Sequence, residues 1–403
     1  METLEPDLGF ILRLKKQGGG SLTNCFQCGT CSAACELSPD ARPFPRKEMA
    51  WANFGLKDRL LTDVDVWLCH QCNDCSTRCP RGAQPGNVLA AVRQASVHHY
   101  AFPRILGRWA GRPHCLPLLL GISCLVLTLA LVVRDPIEKF LGISEYRGED
   151  IVYSYSHLFP QWLLNTLFGL STALVLLASY VGVARFWKAL KGTLSRDQLE
   201  NPSKSMGSSI RTVLWSILRH EDFAACKSAR SRLVSHYCVL FGFLALCVVT
   251  AWVITARYNP LIQTDFIYPF AFLSPWKILA NVGGGVLLVG CLLMIRDRLA
   301  IDERVGPGSY FDWFLIGMLF LTTLSGFATE LLHYMRLEPH RHVMYFGHLV
   351  FIFTLLVYLP YSKFAHMLYR TAALVFADRF NRRSEEIPHP APQGADSDAG
   401  AKG

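Results

Sequence analysis

The sequence predicts an all-α protein in two parts, a small helical cysteine-bearing domain followed by a transmembrane helix bundle of about six spans. Eight of its cysteines fall into two copies of one spacing, CFQCGTCSAAC from Cys25 and CHQCNDCSTRCP from Cys69. Apolar residues make up 51% of the 403, and most of the excess lies beyond residue 113 in stretches long enough to cross a hydrocarbon layer. The segments between the cysteine runs show helical periodicity.

Residues 1–103 form the first domain. METLEPDLGFILRLKK is acidic, then amphipathic, and lacks the apolar core and small-residue cleavage site of a secretory leader, so the cysteines are expected in the cytoplasm. ARPFPRKEMAWANFGLKDRLLTDVDVWL passes from two prolines into helical spacing of Met49, Phe54, Leu56, Leu60 and Leu61, too long and too helical for the tight connection of small βαββαβ ferredoxins. GNVLAAVRQASVHHY reads as a further helix, ended in the Pro103 region.

Residues 104–157 are a linker with the first and shortest span, approximately Cys115–Val133, and an outer loop. Residues 158–372 hold five more spans, approximately Leu158–Ala184, Leu233–Ala256, Ile278–Ile295, Trp313–Leu332 and Val343–Tyr361. Residues 373–403, polar and rich in Pro, Ala and Gly, are expected to be a disordered cytoplasmic tail.

The net charge of +9 does not point to nucleic acid, because Lys and Arg gather beside apolar runs rather than in one stripe with interleaved aromatics. Arg104, Arg108 and Arg112 precede the first span, and Arg185, Lys188, Lys191, Arg196, Lys204 and Arg211 follow the second. This bias puts both places inside, and Asp135, Glu138, Glu145, Glu149 and Asp150 mark the outer loop. The expected location is the cytoplasmic membrane, multi-pass in its lipid, with the cysteine domain and the C-terminus cytoplasmic.

Each cysteine run brings three thiolates onto one tight turn at x2 spacing and a fourth a little further on. That suits a cubane cluster, whose iron corners take soft sulfur from several directions. In two-cluster ferredoxins the fourth cysteine crosses over, which assigns Cys25, Cys28, Cys31 and Cys79 to one [4Fe-4S] cluster and Cys69, Cys72, Cys75 and Cys35 to the other. Zinc, the alternative, favours two separated C-x-x-C pairs. His70 reads as a hydrogen-bond donor or loop residue. Cys115, Cys124, Cys226, Cys238, Cys247 and Cys291 have no ligand spacing and read as small hydrophobes.

Ionisable residues inside a bilayer default to function. In HVMYFGHLVFIFTLLVYLPYSKFAH, His348 and His366 are eighteen residues apart, five helical turns, on one face and about 27 Å apart along the axis. Such a stripe suits two stacked b haems. His236 is the expected partner of His366 at the inner side. For His348 the candidates are His157 first, His333 second, then His340 or His342. NVGGGVLLVG offers either a bed for a flat macrocycle or small-residue helix packing.

The cysteine region, from Cys25 through VWLCHQCNDCSTRCP and NVLAAVR, resembles the C subunit of heterodisulfide reductase and the helical ferredoxin domain of fumarate reductase iron-sulfur subunits. RDRLAIDERV and GHLVFIFTLLVYLPYSKFAH resemble the gamma subunit of respiratory nitrate reductase, a five-helix dihaem cytochrome b. The fusion is similar to the C subunits of quinone-interacting membrane-bound oxidoreductase complexes. That resemblance implies two flavin and iron-sulfur partner subunits, menaquinol as substrate, one or two b haems, and electron transfer linked to adenylylsulfate reductase in sulfate respiration.

One departure stands out: Leu246 occupies the place of a second histidine, about three turns beyond His236. Arg257, Tyr258, Glu330 and Tyr345 lie near the expected outer surface as candidates for quinol protons or for interfacial anchoring. Two other readings are the membrane subunit of a heterodisulfide reductase, whose adjacent catalytic cysteines this chain lacks, and a zinc-binding membrane anchor without redox function.

Overall fold

The computed structural model describes residues 5–39, 42–142, 155, 158–221, 230–259, 270–300 and 308–382, with no side-chain description at 230, 231, 257 and 258. Among the described residues every regular element is a helix. The first region comprises α1 (Leu8–Leu14), α2 (Thr30–Ala33), α3 (Arg46–Asn53), α4 (Lys57–Leu61), α5 (Asp65–Leu68), α6 (Asp74–Thr77) and α7 (Pro85–Tyr100), followed by α8 (Arg104–Ala110). Asp7 caps α1 by accepting from the amide of Phe10. The periodic segment after the first cysteine run is two helices rather than one. Gly55, at φ 66°, turns the chain between α3 and α4 in a conformation that a side chain would strain.

The long helices are α9 (Leu116–Leu141), α10 (Gln161–Lys191), α13 (Arg230–Tyr258), α14 (Pro275–Leu299), α15 (Tyr310–Tyr334) and α16 (His340–Val357), with the short α11 (Arg196–Glu200) and α12 (Met206–Arg219) between α10 and α13. Among the described residues, six helical segments have the length and composition of membrane spans. The first runs over Pro113–Leu141, 29 residues, so it is longer than the sequence suggested. Pro136 lies inside it, and Gly142 at φ 63° ends α9.

The glycines of NVGGGVLLVG answer to helix packing. A methyl group on Gly283 would meet Ala245 and the Gly242 carbonyl, and one on Gly290 would meet Cys238 and Val239, so these positions let α13 and α14 close together. Gly284 faces the Phe327 ring in the same way, and Gly285 faces open space.

The last span departs most from expectation. It ends at Val357, passes through 3-10 turns at Leu359–Tyr361 and Lys363–Ala365 with Ser362 extended, and resumes as α17 (His366–Arg379). Pro360 has no N–H to give the carbonyl four residues back, and its ring crowds that carbonyl. His348 and His366 are therefore not on one face of one helix, and the five-turn spacing does not measure their separation. Helix α17 carries the chain to Arg379, into the tail expected at 373–403, of which residues 383–403 lie outside the described residues.

The two parts share a core. Trp67, 1% exposed on α5, stacks on Tyr369 of α17 with ring centroids 5.7 Å apart, and lies the same distance from Phe186 of the second span. Tyr100 closes the group at 5.4 Å from Phe186. Each such pair adds about 0.5–1.5 kcal/mol beyond area burial. Trp67 stands two residues before Cys69, so this packing fixes the second cysteine run against the bundle. Cys115 and Cys291 are buried, Cys238 is half-buried, and Cys124 and Cys247 are exposed on the spans; Cys226 is outside the described residues.

Candidate functional site

The two cysteine runs repeat in backbone as well as in sequence. Gln27 and Gly29 have φ of 60° and 86°; Gln71 and Asn73, at the matching positions, have 54° and 69°. Alternating left-handed residues curl a loop so that amides point inward, the form that suits an anionic sulfur-rich group. The Gln71 amide donates to Cys69 Sγ at 3.3 Å. A short helix, α2 or α6, begins at once after each loop and holds the third cysteine, Cys31 or Cys75, buried.

Cys35 lies with Cys69, Cys72 and Cys75 around one small cleft, closed by Leu37, Phe44 and Leu89. Cys31 feels the charges of Cys25 and Cys28. The two groups are neighbours, since Cys75 is also within electrostatic reach of Cys31. Cys79 packs at the edge of the first region's core. Burial pushes the Cys31 and Cys35 thiols up to about 11 and raises Cys75 further, so bound cations must displace protons to make these thiolates. A hydroxyl bond from Thr30 lowers the exposed Cys28.

The second loop is held by three arginines from three helices. Arg93 of α7 donates to the Val66 carbonyl at 2.9 Å and to that of Cys69 at 3.3 Å. Arg232 of α13 donates to the carbonyls of Gln71 and Cys72, both at 2.7 Å. Arg370 of α17 donates to the Cys69 carbonyl at 3.0 Å and to His70 Nε2 at 2.6 Å. His70 thus accepts at Nε2, which leaves the proton of the neutral ring on Nδ1. Sequence reasoning did not single out these arginines, although a signal existed: Arg232 precedes His236 by four residues, and Arg370 follows His366 by four. That spacing sets each arginine on the same helix face as its histidine.

His236 and His366 lie in each other's electrostatic field beside Lys363 and Arg370. His366 Nδ1 is 2.6 Å from the Lys363 carbonyl, which can only accept, so Nδ1 carries the proton and the neutral ring's Nε2 is the basic nitrogen. His236 Nδ1 is 2.8 Å from Nε2 of His220, a residue that the sequence reading missed. The ring nitrogen used for outer-shell bonding is Nδ1 in both, the arrangement that orients imidazole ligands of a metal. This donor set fits a bis-histidine haem. Lys363 also pairs with Asp312, which Arg298 approaches at 3.7 Å.

His348 Nδ1 is 3.0 Å from Ser325 Oγ on α15, and its ring lies against Gly326, where an added methyl would come within 3.1 Å. His157 falls outside the described residues. Its neighbour Tyr155 is described, and it gathers His333 at 5.4 Å, His342 at 6.1 Å and Tyr345, stacked at 4.2 Å. His340 begins α16. Leu246 is packed with Val239, Phe243 and Leu287 in an apolar cluster between helices. Glu330 pairs with Lys277 at 2.9 Å and accepts from Asn281, while the side chains of Arg257 and Tyr258 are outside the description.

Comparison with known proteins agrees with this two-part layout. Residues 21–83 match a 4Fe-4S dicluster domain, and residues 112–387 match the citrate utilization protein B model. The C subunit of the H(2):CoB-CoM heterodisulfide,ferredoxin reductase of Methanothermobacter marburgensis is 40% identical over 94 residues, 23% of this chain and 49% of that one. The chain thus spans about half the length of such curated relatives. The E subunit of the dihydromethanophenazine:CoB–CoM heterodisulfide reductase of Methanosarcina thermophila is 26% identical over 157 residues, 37% of this chain and 60% of that one. Citrate utilization protein B of Escherichia coli is 28% identical over 375 residues, 87% of this chain and 88% of the relative. No solved structure matches. The chain is a multi-pass, iron-sulfur membrane protein, and with a family model matching residues 112–387 it belongs to the citrate utilization protein B family.

Proposed function

We propose that the chain is the membrane electron-transfer subunit of a multisubunit oxidoreductase, carrying electrons between the menaquinone pool and soluble flavoprotein partners from the cytoplasmic side of the inner membrane. Cys25, Cys28, Cys31 and Cys79 would bind one [4Fe-4S] cluster, and Cys69, Cys72, Cys75 and Cys35 the other. His236 and His366 would ligate an inner b haem. His348 would ligate a second, with His157 or His333 opposite. These groups supply the one-electron chemistry, and the chain supplies position, dielectric and hydrogen bonds.

The observation that carries the reading is the pair of arginine clamps. The helices bearing His236 and His366 each send an arginine, Arg232 or Arg370, one turn away onto the carbonyls of the second cysteine loop. The two imidazoles and the second cysteine loop are thereby tied together, which a non-redox anchor would not need. His220 and the Lys363 carbonyl hold the two imidazoles by Nδ1. At the outer end, Tyr155, His333, His342 and Tyr345 are suited to handling quinol protons.

The test is to purify the chain with its companions from native membranes and add a menaquinol analogue. A reduced b-type band should appear, and its absence would end this reading. His236→Ala and His366→Ala should each remove the inner haem while keeping non-haem iron; unchanged haem in both would refute the ligation.

A second reading concerns only the soluble partner. The Escherichia coli relative aligned over 87% of this chain takes its name from citrate use, which favours an oxidoreductase of carboxylate metabolism over adenylylsulfate reductase or a heterodisulfide reductase. The flavoprotein that copurifies decides among them.

A further inference from the structure

Helix α12 leaves an apolar stripe uncovered. Met206, Ile210, Leu214 and Leu218 recur every four residues with Trp215 beside them, and they are 39–55% exposed. The adjoining side is closed: Ser209 and Val213 are buried, and the helix packs on α17. At 14 residues, about 21 Å, α12 is too short to cross a membrane.

Its depth is fixed by the neighbouring span. The Tyr237 hydroxyl donates to the Arg219 carbonyl at the end of α12, at 2.8 Å, and His220 bonds His236 at 2.8 Å. Tyr237 lies five residues inside a span that starts at Arg232, about 7–8 Å along its axis. The end of α12 is therefore level with the first turns of that span, where headgroups meet acyl chains. Val234 and Phe241 of the span are exposed as well. Residues 201–219 carry Lys204, Arg211 and Arg219 and no carboxylate. Lys204 pairs with Asp378 and Arg219 meets Glu221 at 3.7 Å while lying over the Trp215 ring, as an interfacial aromatic and a snorkelling cation do.

We propose that α12 lies in the plane of the membrane surface, on the side of the cysteine domain, with the Met206–Leu218 stripe against lipid. The surface helix would then deliver His220 from its C-cap to His236.

The full chain in native membranes tests this with a photo-crosslinker. Leu214→p-benzoylphenylalanine should give phospholipid adducts several-fold more often than Thr212→p-benzoylphenylalanine, which sits about 200° away around the helix. Equal yields, or an adduct with another polypeptide at 214, would overturn the proposal. For the unmodified chain in lipid nanodiscs, hydroxyl-radical footprinting should find Met206 and Trp215 several-fold less oxidised than water-facing side chains of their kind. Oxidation at the rate of such side chains would overturn it equally.

Discussion

The two cysteine loops have the same backbone turns and opposite surroundings. The second is clasped by Arg93, Arg232 and Arg370 and backed by the buried Trp67. In the first, Cys28 is exposed, and Phe26 is 66% exposed with the Arg81 guanidinium over its ring at 4.1 Å. The repeated loops thus differ in what packs on them: one is fastened to the long helices, and the other leaves Cys28 and Phe26 exposed.

The strongest way to break this comparison is to remove a cysteine from each loop. Cys72→Ala and Cys28→Ala should each lose about half of the non-haem iron under the two-cluster arrangement. Electron delivery from quinol to the remaining cluster should stop in the first variant and persist in the second. Iron analysis with EPR after quinol addition reads this, and identical behaviour of the two variants would erase the distinction.

Next in size is the network that joins the loops. Lys47 sits 2.6–3.2 Å from Asp65, Asp63 and Glu48, all nearly inaccessible. Lys47→Met would leave the buried Glu48 and Asp63 without their cation, with Arg382 still 3.5 Å from Asp65, and should cost about 3–5 kcal/mol of cysteine-domain stability, read by denaturant unfolding of the full chain. Desolvation by burial, then the Asp63 charge, lifts the Asp65 carboxyl from 3.8 to about 6, and the same causes raise Glu48 well above the usual range. A raised folded value means stability fully present below about pH 4 and lost as pH climbs through about 6. Asp65→Asn should flatten that slope.

The smallest effects sharpen the comparison. Arg370→Gln removes a charge and donors from one loop alone, so potentiometric EPR should show one cluster's midpoint falling while the other stays fixed. Phe26→Ala should leave both midpoints unchanged and weaken capture of the soluble partner by about 1–2 kcal/mol, measured by binding of the purified flavoprotein.

Much of this was legible in the residues. Long apolar runs and two copies of an unusual spacing announce themselves, because hydrocarbon thickness and cluster geometry leave few alternatives. The break before His366 is legible as Pro360, yet the eighteen-residue spacing of His348 and His366 mimics five turns of unbroken helix. The role of Arg232 and Arg370 emerges only when the second loop is folded beneath them. His220 carried no signal at all, since it meets His236 through a left-handed C-cap, φ 53°, that sequence does not announce.

The interruption at Leu359–Ala365 bears on how the protein is assembled. It transfers His366 from the last span to a separate helix that packs on α5 and α7 of the cysteine region as well as on α10 and α12, so the residue sits where the two parts join. Under the proposed ligation, a nascent chain with all spans inserted still lacks one axial ligand until its soluble part has docked. Haem retention would then report completed biogenesis, making the cofactor a checkpoint on the joining of the two halves.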